Sequence, residues 1–430
     1  MLRNTCVIIL AGWLLPILSA KTQSFAAPAL PEIPGKVFNI TSYGAVGDGV
    51  ATNTAAIQAA INAASGAGGG LVEVPAGIFL SGPVAMASRV NLRVDGTLRM
   101  LPLGKYPGGT TDPANFIGGR ELHDLAISGA GAIDGQGVPW WPYAKKPGAK
   151  RPRMISFSSC ERVLIEDVLL TNSPMFHIAI SGQTTDVTVR RVTIRANAST
   201  DPVSPGHNTD ACDVTGRRIL IQDCDVSVGD DNYTCGGGTS DVLITNCTYG
   251  YGHGVSIGSP TAGGISNFTV VNCTFNGTES GIRIKTDRDR GGFVHNLAYL
   301  NLRMTNVGCP ILIYCSYMAT NPAYRNLNKL TPAIAATYPR RVVTAKTPVY
   351  RDITFSNITA TVPAGRRAGL IWGLPEMAVT NVLLQRVNIT ADRPFGIYEA
   401  QNVRLVDSKI ITPEGVNRLA CTNAQVAILP

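Results

Sequence analysis

Residues 240–247 read SDVLITNC and residues 266–273 read SNFTVVNC. In both, apolar side chains stand at the third and fifth places, an Asn at the seventh and a cysteine at the eighth. Alternation of this kind aims every second side chain of a strand at one core. Seven further copies share the pattern: ERVLIEDV from Glu161, TDVTVRRV from Thr185, RRILIQDC from Arg217, HNLAYLNL from His295, RDITFSNI from Arg351, TNVLLQRV from Thr380 and QNVRLVDS from Gln401. Their third residues, Val163, Val187, Ile219, Val242, Phe268, Leu297, Ile353, Val382 and Val403, follow one another at 24, 32, 23, 26, 29, 56, 29 and 21 residues. The 56-residue interval is expected to be two turns of the repeat, one of them too irregular to read.

The seventh residue is always Asp, Asn or Arg. Asn and Asp tolerate the left-handed backbone of a tight bend, so each strand is expected to turn there and begin another. A period in the twenties, rich in strand signatures and without intervening helices, predicts an all-β solenoid: a single-stranded parallel β-helix in which each coil buries its inner face by stacking on its neighbours. A leucine-rich horseshoe would need its Leu/Asn signature, and a propeller a longer period. The eighth place holds Val, Leu, Ile or Ser except at Cys224, Cys247 and Cys273. That pattern favours three stacked, buried thiols over a disulfide pair. The ends of a solenoid must be shielded. The one clear amphipathic helix, TNTAAIQAAINAAS at residues 52–65, is expected to cap the N-terminal end, with Thr52 or Asn53 at its start.

The chain of 430 residues is 45% hydrophobic and only 15% charged, with 45 glycines, so it can bury a large core and turns often. Residues 1–20 carry Arg3, an apolar run and small residues at its end, which reads as a secretory signal peptide with a cut at 20 or as late as 26. Residues 21–37 read as a Pro/Ala-rich linker and residues 38–430 as a catalytic β-helix domain. A secreted or periplasmic location follows from the leader. The net charge of +8 suits an acidic polysaccharide, which an exported chain meets more often than nucleic acid. No membrane span is expected beyond the leader, and a monomer is. The Gly-rich YGAVGDGV at residues 43–50 lacks the Gly-Lys-Ser/Thr ending of a phosphate loop.

The residues that carry chemistry fall at one-coil spacing. Gly229-Asp230-Asp231 and Gly252-His253-Gly254 each begin five residues beyond a repeat cysteine, HNTDACD places Asp210 21 residues before Asp231, and GIRIK puts Arg283 and Lys285 on one strand face. Coils stacked about 4.8 Å apart would gather Asp210, Asp230, Asp231, His253, Arg283 and Lys285 into one external column. Taken singly, an Asp pair after Gly is usually a solvated turn and Arg-x-Lys a wet face; the shared spacing argues for a site. Three acids suggest calcium, but the neighbouring cations disfavour a metal, and none is expected. A crowded set of carboxylates can retain one proton for general-acid work while another activates water, the requirement of an inverting glycosidase. Arg283 and Lys285 could then grip an acidic sugar by its carboxylate.

HNTDACD, VGDDN, YGHGVSIGS and GIRIK resemble, in order, the four signature segments of the polygalacturonase family, glycoside hydrolase family 28. YGAVGDGV, RPRMISFSSC and TNSPMFHI are similar to it too, and the resemblance covers about residues 38–410. It implies a right-handed parallel β-helix, no cofactor, and pectin degradation by hydrolysis of α-1,4-galacturonosyl bonds of homogalacturonan with inversion. Carried over, it implies Asp230 as general acid, Asp210 and Asp231 as holders of the attacking water, and His253 as the residue that orients and tunes them. Arg283 and Lys285 would bind the substrate carboxylate, with Tyr317 and Asn208 as further binding residues. Ala211 and Asn232 depart from the family's usual Gly and Cys. The segment 320–348 is longer than a coil loop requires and is expected to wall one end of the groove. The rivals are a rhamnogalacturonan hydrolase of the same fold, a calcium-dependent lyase, and a non-catalytic acidic-polysaccharide-binding β-helix.

Overall fold

The computed structural model describes residues 25–430 and the backbone of Cys6–Leu10, a strand that pairs in parallel with Leu419–Leu429. The rest of the leader expected at residues 1–20 lies outside the described residues. No helix among the described residues is long and apolar enough to cross a membrane. The chain is a parallel β-helix and divides into two compact units: Ala26–Thr234 with Cys247–Gly252, called here the N-terminal unit, and Cys235–Asn246 with His253–Pro430 and Met1–Phe25, the C-terminal unit.

In the N-terminal unit, parallel strands stack in three columns. One runs Val37–Asn39, Gly70–Val74, Val90–Val94, His123–Ser128, Glu161–Glu166, Thr185–Arg190 and Arg217–Gln222. A second runs from Asp48–Thr52 to Thr248–Tyr249. The third, Val84–Ala85, Ile117–Arg120, Ile155–Ser158, Ile178–Ser181 and Cys212–Val214, leads into the acidic residues. In the C-terminal unit the repeat strands Thr239–Thr245, Ile265–Val271, Phe293–Thr305, Val349–Thr361, Val379–Thr390 and Phe395–Val406 stack likewise. Beside them run Val255–Ile257, Ile282–Lys285, Ile311–Tyr314 and Leu370–Trp372.

Within each unit the third residues of the repeat pair as expected: Val163 with Val187 and Val187 with Ile219, then Val242, Phe268, Leu297, Ile353, Val382 and Val403 in succession. All are buried, and each such side chain removed from water contributes about 1.5–3 kcal/mol. The backbone bends twice per copy. Both the second and the seventh residue of all nine copies have φ between 48° and 64°, Arg162 and Asp167 in the first and Asn402 and Asp407 in the last.

The 56-residue interval corrects one expectation. Leu297 pairs directly with Ile353, so it spans one coil rather than two. The surplus is an insert after Ile311–Tyr314 that carries two short helices, α2 (Pro322–Arg325) and α3 (Pro332–Ala336). It is fastened from below. Arg288, 8% exposed at its side chain, binds the Pro339 carbonyl at 2.7 Å and the carboxylate of Glu376 at 2.5 Å, and Tyr324, Tyr338 and Trp372 pack ring against ring.

The helix expected at residues 52–65 is α1 (Thr54–Gly66), with Ile57 and Ile61 buried against the strands Val37–Asn39 and Gly70–Val74. Asn53 is its N-cap residue, but its side chain turns back to the Val46 and Ala51 carbonyls and closes the preceding loop. The linker at 21–37, described from residue 25, forms no strand before Val37. It is nonetheless held: the Ala29 amide donates to Asp186 and the Glu32 amide to Asp124.

Cys224, Cys247 and Cys273 are buried and outside any disulfide, and so are six other cysteines among the described residues, four of them buried and two half-buried. Because they fill an apolar slot, Cys247→Val is expected to leave the melting temperature nearly unchanged. Cys247→Ser should cost about 1–3 kcal/mol for a buried hydroxyl in an apolar row. Thermal melts with and without reductant should coincide; a reductant-dependent fall would reveal a disulfide.

Candidate active site

Asp210 and Asp231 occupy successive rungs of the N-terminal unit. The His177 amide donates to the Asp210 carbonyl at 2.8 Å, and the Ala211 amide to the Asp231 carbonyl at 3.0 Å. The bends before them are locked by Thr209, fully buried, whose hydroxyl donates to Gly206 and accepts from the Gly229 amide at 2.8 Å. Gly229 must be glycine, since a Cβ there would lie 2.0 Å from the Gly206 carbonyl oxygen. This contact fixes where Asp230 and Asp231 begin. Val228 donates to the Tyr251 carbonyl, the same 23-residue offset that separates Cys224 from Cys247. Asn232, one of the two departures, is buried and ties these turns together through its own bond to Tyr251 at 3.1 Å.

The three carboxylates differ in exposure. Asp210 and Asp231 are buried at 6% and 2%, whereas Asp230 is half-buried. Burial, and then the negative charges of Asp230, Asp231 and Asp213, hold the Asp210 carboxyl well above the ordinary carboxylate range. Its Oδ1 is buried without a hydrogen-bond partner. Asp230 accepts from the Asn208 side-chain amide at 3.3 Å and from the Asp231 amide at 2.9 Å. Asn208 itself has φ 55°.

Arg151 completes the arrangement and was not singled out in the sequence. Its guanidinium donates to the Pro174 and His207 carbonyls and to Asn208 Oδ1 at 2.8 Å. Burial pulls this guanidinium down from its ordinary value, and the charges of Asp210 and Asp230 oppose that. The cation thus offsets part of the repulsion among the acids, and it disfavours a metal ion at the same carboxylates. Only its place at the head of RPRMISFSSC could have pointed to it. Behind Asp210 lies His177, fully buried and pushed down to about 4 by burial. Its Nδ1 lies 3.3 Å from the Asp210 carbonyl, and its Nε2 lies 3.3 Å from the Arg195 carbonyl and 3.4 Å from the Ser173 amide, so a neutral ring can donate to one carbonyl or the other.

The C-terminal unit gathers the basic residues. Arg283 and Lys285 alternate along Ile282–Lys285, and both face the ring of Tyr317, at 5.8 Å and 5.2 Å from its centroid. Tyr314, absent from the sequence reading, packs edge-on to Tyr317 and hydrogen-bonds Arg283. His253 pairs with Glu279 through Nε2 at 3.1 Å. Within each unit, then, the expected residues come together: Asn208, Asp210, Asp230 and Asp231 in one, Arg283, Lys285 and Tyr317 in the other.

The family model of glycosyl hydrolases family 28 matches residues 68–409. The chain belongs to this family. Within it, the chain is 31% identical over 385 residues to an exopolygalacturonase of Zea mays, covering 86% of this chain and 87% of that one. It is 35% identical to a probable polygalacturonase of Arabidopsis thaliana over 64% of this chain and 60% of the other. The chain thus spans about three-fifths of the Arabidopsis relative's length. The solved polygalacturonase from Erwinia carotovora ssp. carotovora superposes with a TM-score of 0.69 at 27% identity, over 89% of this chain and 99% of that one.

A raised Asp210 has a consequence for stability. A carboxyl whose folded pKa lies above its unfolded value binds a proton more tightly when folded, so stability falls as pH rises from the unfolded value through the folded one. Across pH 4 to pH 8 this contribution to the melting temperature falls with rising pH, while His177, whose folded value is depressed, contributes the opposite slope up to its unfolded value in wild type and variant alike. Asp210→Asn should remove the falling contribution, so that its melting temperature relative to wild type rises with pH and is no lower at pH 7. An unchanged slope in the variant would show that Asp210 is not the group under strain.

Proposed function

We propose that the protein is a polygalacturonase that hydrolyses α-1,4 bonds between galacturonate residues of de-esterified pectin, with inversion. The observation that carries this reading is the crowding of three carboxylates, with Asp210 buried one rung from Asp231 and beside the more accessible Asp230, where burial and mutual repulsion favour keeping one proton on the set. Membership of family 28 and polygalacturonase relatives from plants and bacteria support it. Asp230, reachable from solvent, protonates the glycosidic oxygen as its bond to C1 breaks. Asp210 and Asp231 hold a water that attacks C1 from the opposite face, and one of them takes its proton. The charges of Asp230 and Asp231 help to raise Asp210, and the mechanism requires that the proton favoured by this repulsion stand on Asp230 when the glycosidic oxygen arrives.

Arg283, Lys285 and Tyr317 bind the carboxylate of a sugar next to the broken bond, the guanidinium through paired hydrogen bonds and the ammonium as a point charge. The role of orienting the acids falls to His253 by the resemblance of Gly252-His253-Gly254 to the family's segment. Arg151 keeps Asn208 and, through it, Asp230 in place. The composition of residues 1–20 supports export, where the polymer is found, and the Ala-rich helix Thr54–Gly66 is suited to shield the first coil.

Wild-type protein should release reducing ends from polygalacturonate, and Asp230→Asn should lower kcat by about 10²- to 10⁴-fold. Arg283→Ala should lower kcat/KM by roughly tenfold or more, the worth of a charge-assisted hydrogen bond. Equal rates for wild type and Asp230→Asn would remove the mechanism. An unsaturated product absorbing in the ultraviolet and abolished by chelator would replace hydrolysis with elimination.

A further inference from the structure

A cavity of about 570 Å³ opens in the C-terminal unit where the insert faces the strands Ile282–Lys285 and Ile311–Tyr314. Its volume lies in the range of small-molecule sites. Four arginines line it: Arg283, Arg325 at the end of α2, and Arg366 and Arg367 from the loop before Leu370–Trp372. Glu279 is the one carboxylate in the lining, so four guanidinium groups against it leave a formal charge of three positive. Glu279 is moreover already paired with His253.

Arg367 is the telling member. It is only 5% exposed, and one Nη donates to the Leu330 carbonyl at 2.9 Å, which fixes the guanidinium in the wall. A buried cation in a wall of like charges is costly unless an anion offsets it. The cavity wall is also built in advance. Arg367 and Arg393 hold the Leu330 and Asn328 carbonyls of the insert, and Arg288 with Glu376 holds its far side. A prearranged cluster of planar cations in a concave site suits a carboxylate.

We propose that this cavity is a second carboxylate-recognising subsite, in which Arg325, Arg366 and Arg367 take a uronate further along the same polymer that Arg283 grips. Arg283 lies at the shared edge, and its strand is two rungs from Leu370, through the pairs Arg283 with Leu312 and Leu312 with Leu370. Two rungs are roughly 10 Å, so the two carboxylates belong to different sugar units. The insert therefore makes the protein prefer chains long enough to reach it. This inference rests on the polygalacturonase reading for the identity of the polymer.

Calorimetric titration of the full chain carrying Asp230→Asn, which slows turnover, separates the subsite from the activity. Arg325 and Arg366 are exposed, so Arg325→Ala and Arg366→Ala should fold. Each is expected to weaken pentagalacturonate binding by about tenfold and digalacturonate binding by clearly less. Equal or absent weakening of both ligands would overturn the subsite. So would inorganic phosphate binding that depends on the same arginines without any effect of chain length, which would assign the cavity to free anions. Hydrolysis of polygalacturonate by wild type with an unaltered length preference in the variants sinks the subsite alone. Length-dependent binding without hydrolysis sinks only the activity.

Discussion

The structure depends on one backbone constraint: each coil must turn sharply at residues held in the left-handed region, and it does so with few glycines in the repeat. The left-handed region is costly for most L-residues and least so for Asn and Asp. Stacking offsets this cost because bend side chains bond to those of the next coil. In the C-terminal unit, Asn267 bonds to Asp241 and Asn296 to Asn267, and Asn272, Asn301 and Asn357 form a continuous ladder. In the N-terminal unit the same positions carry ion pairs, Asp124 with Arg162, Asp167 with Arg191 and Asp186 with Arg218. Bonding between bends keeps the rungs in register, and register is what delivers side chains from distant sequence to one place.

The acidic cluster draws on that rigidity. Two buried carboxylates and a third beside them repel one another, and no isolated loop would hold them. Thr209 and Gly229 bring two turns into contact at the backbone, so the carboxylates are placed by main-chain geometry before their charges interact. Arg151 then supplies partial compensation, and His177 supports the Asp210 carbonyl from the interior. The basic cluster is assembled differently, by alternation along one strand and by the Tyr314 and Tyr317 rings that orient the long cations.

Much of this was legible because the repeat exposes it. The spacing of Val242, Phe268 and Leu297 gave the strand register, and the seventh-place Asp and Asn residues marked real bends. The second-place residues bend as well, although only the seventh had been read that way. Earlier coils escaped notice for a related reason: His123–Ser128 bends at Asp124 but turns next at Gly129, which supplies a positive φ without the expected side chain. The interval after Leu297 was misread because an insert and a missing repeat look alike in spacing alone. Arg151, Tyr314 and Arg367 left no periodic signal. They lie outside the nine copies of the repeat, and their partners are carbonyls, rings and acids set by tertiary packing.

The central claim is that a carboxylic acid and a carboxylate-held water act from opposite faces of the sugar. Proton NMR of the first product formed from oligogalacturonate tests it directly. In-line attack by water on an α-linkage predicts that the β-anomer appears first and then mutarotates. Initial appearance of the α-anomer would mean a covalent intermediate and would contradict the account.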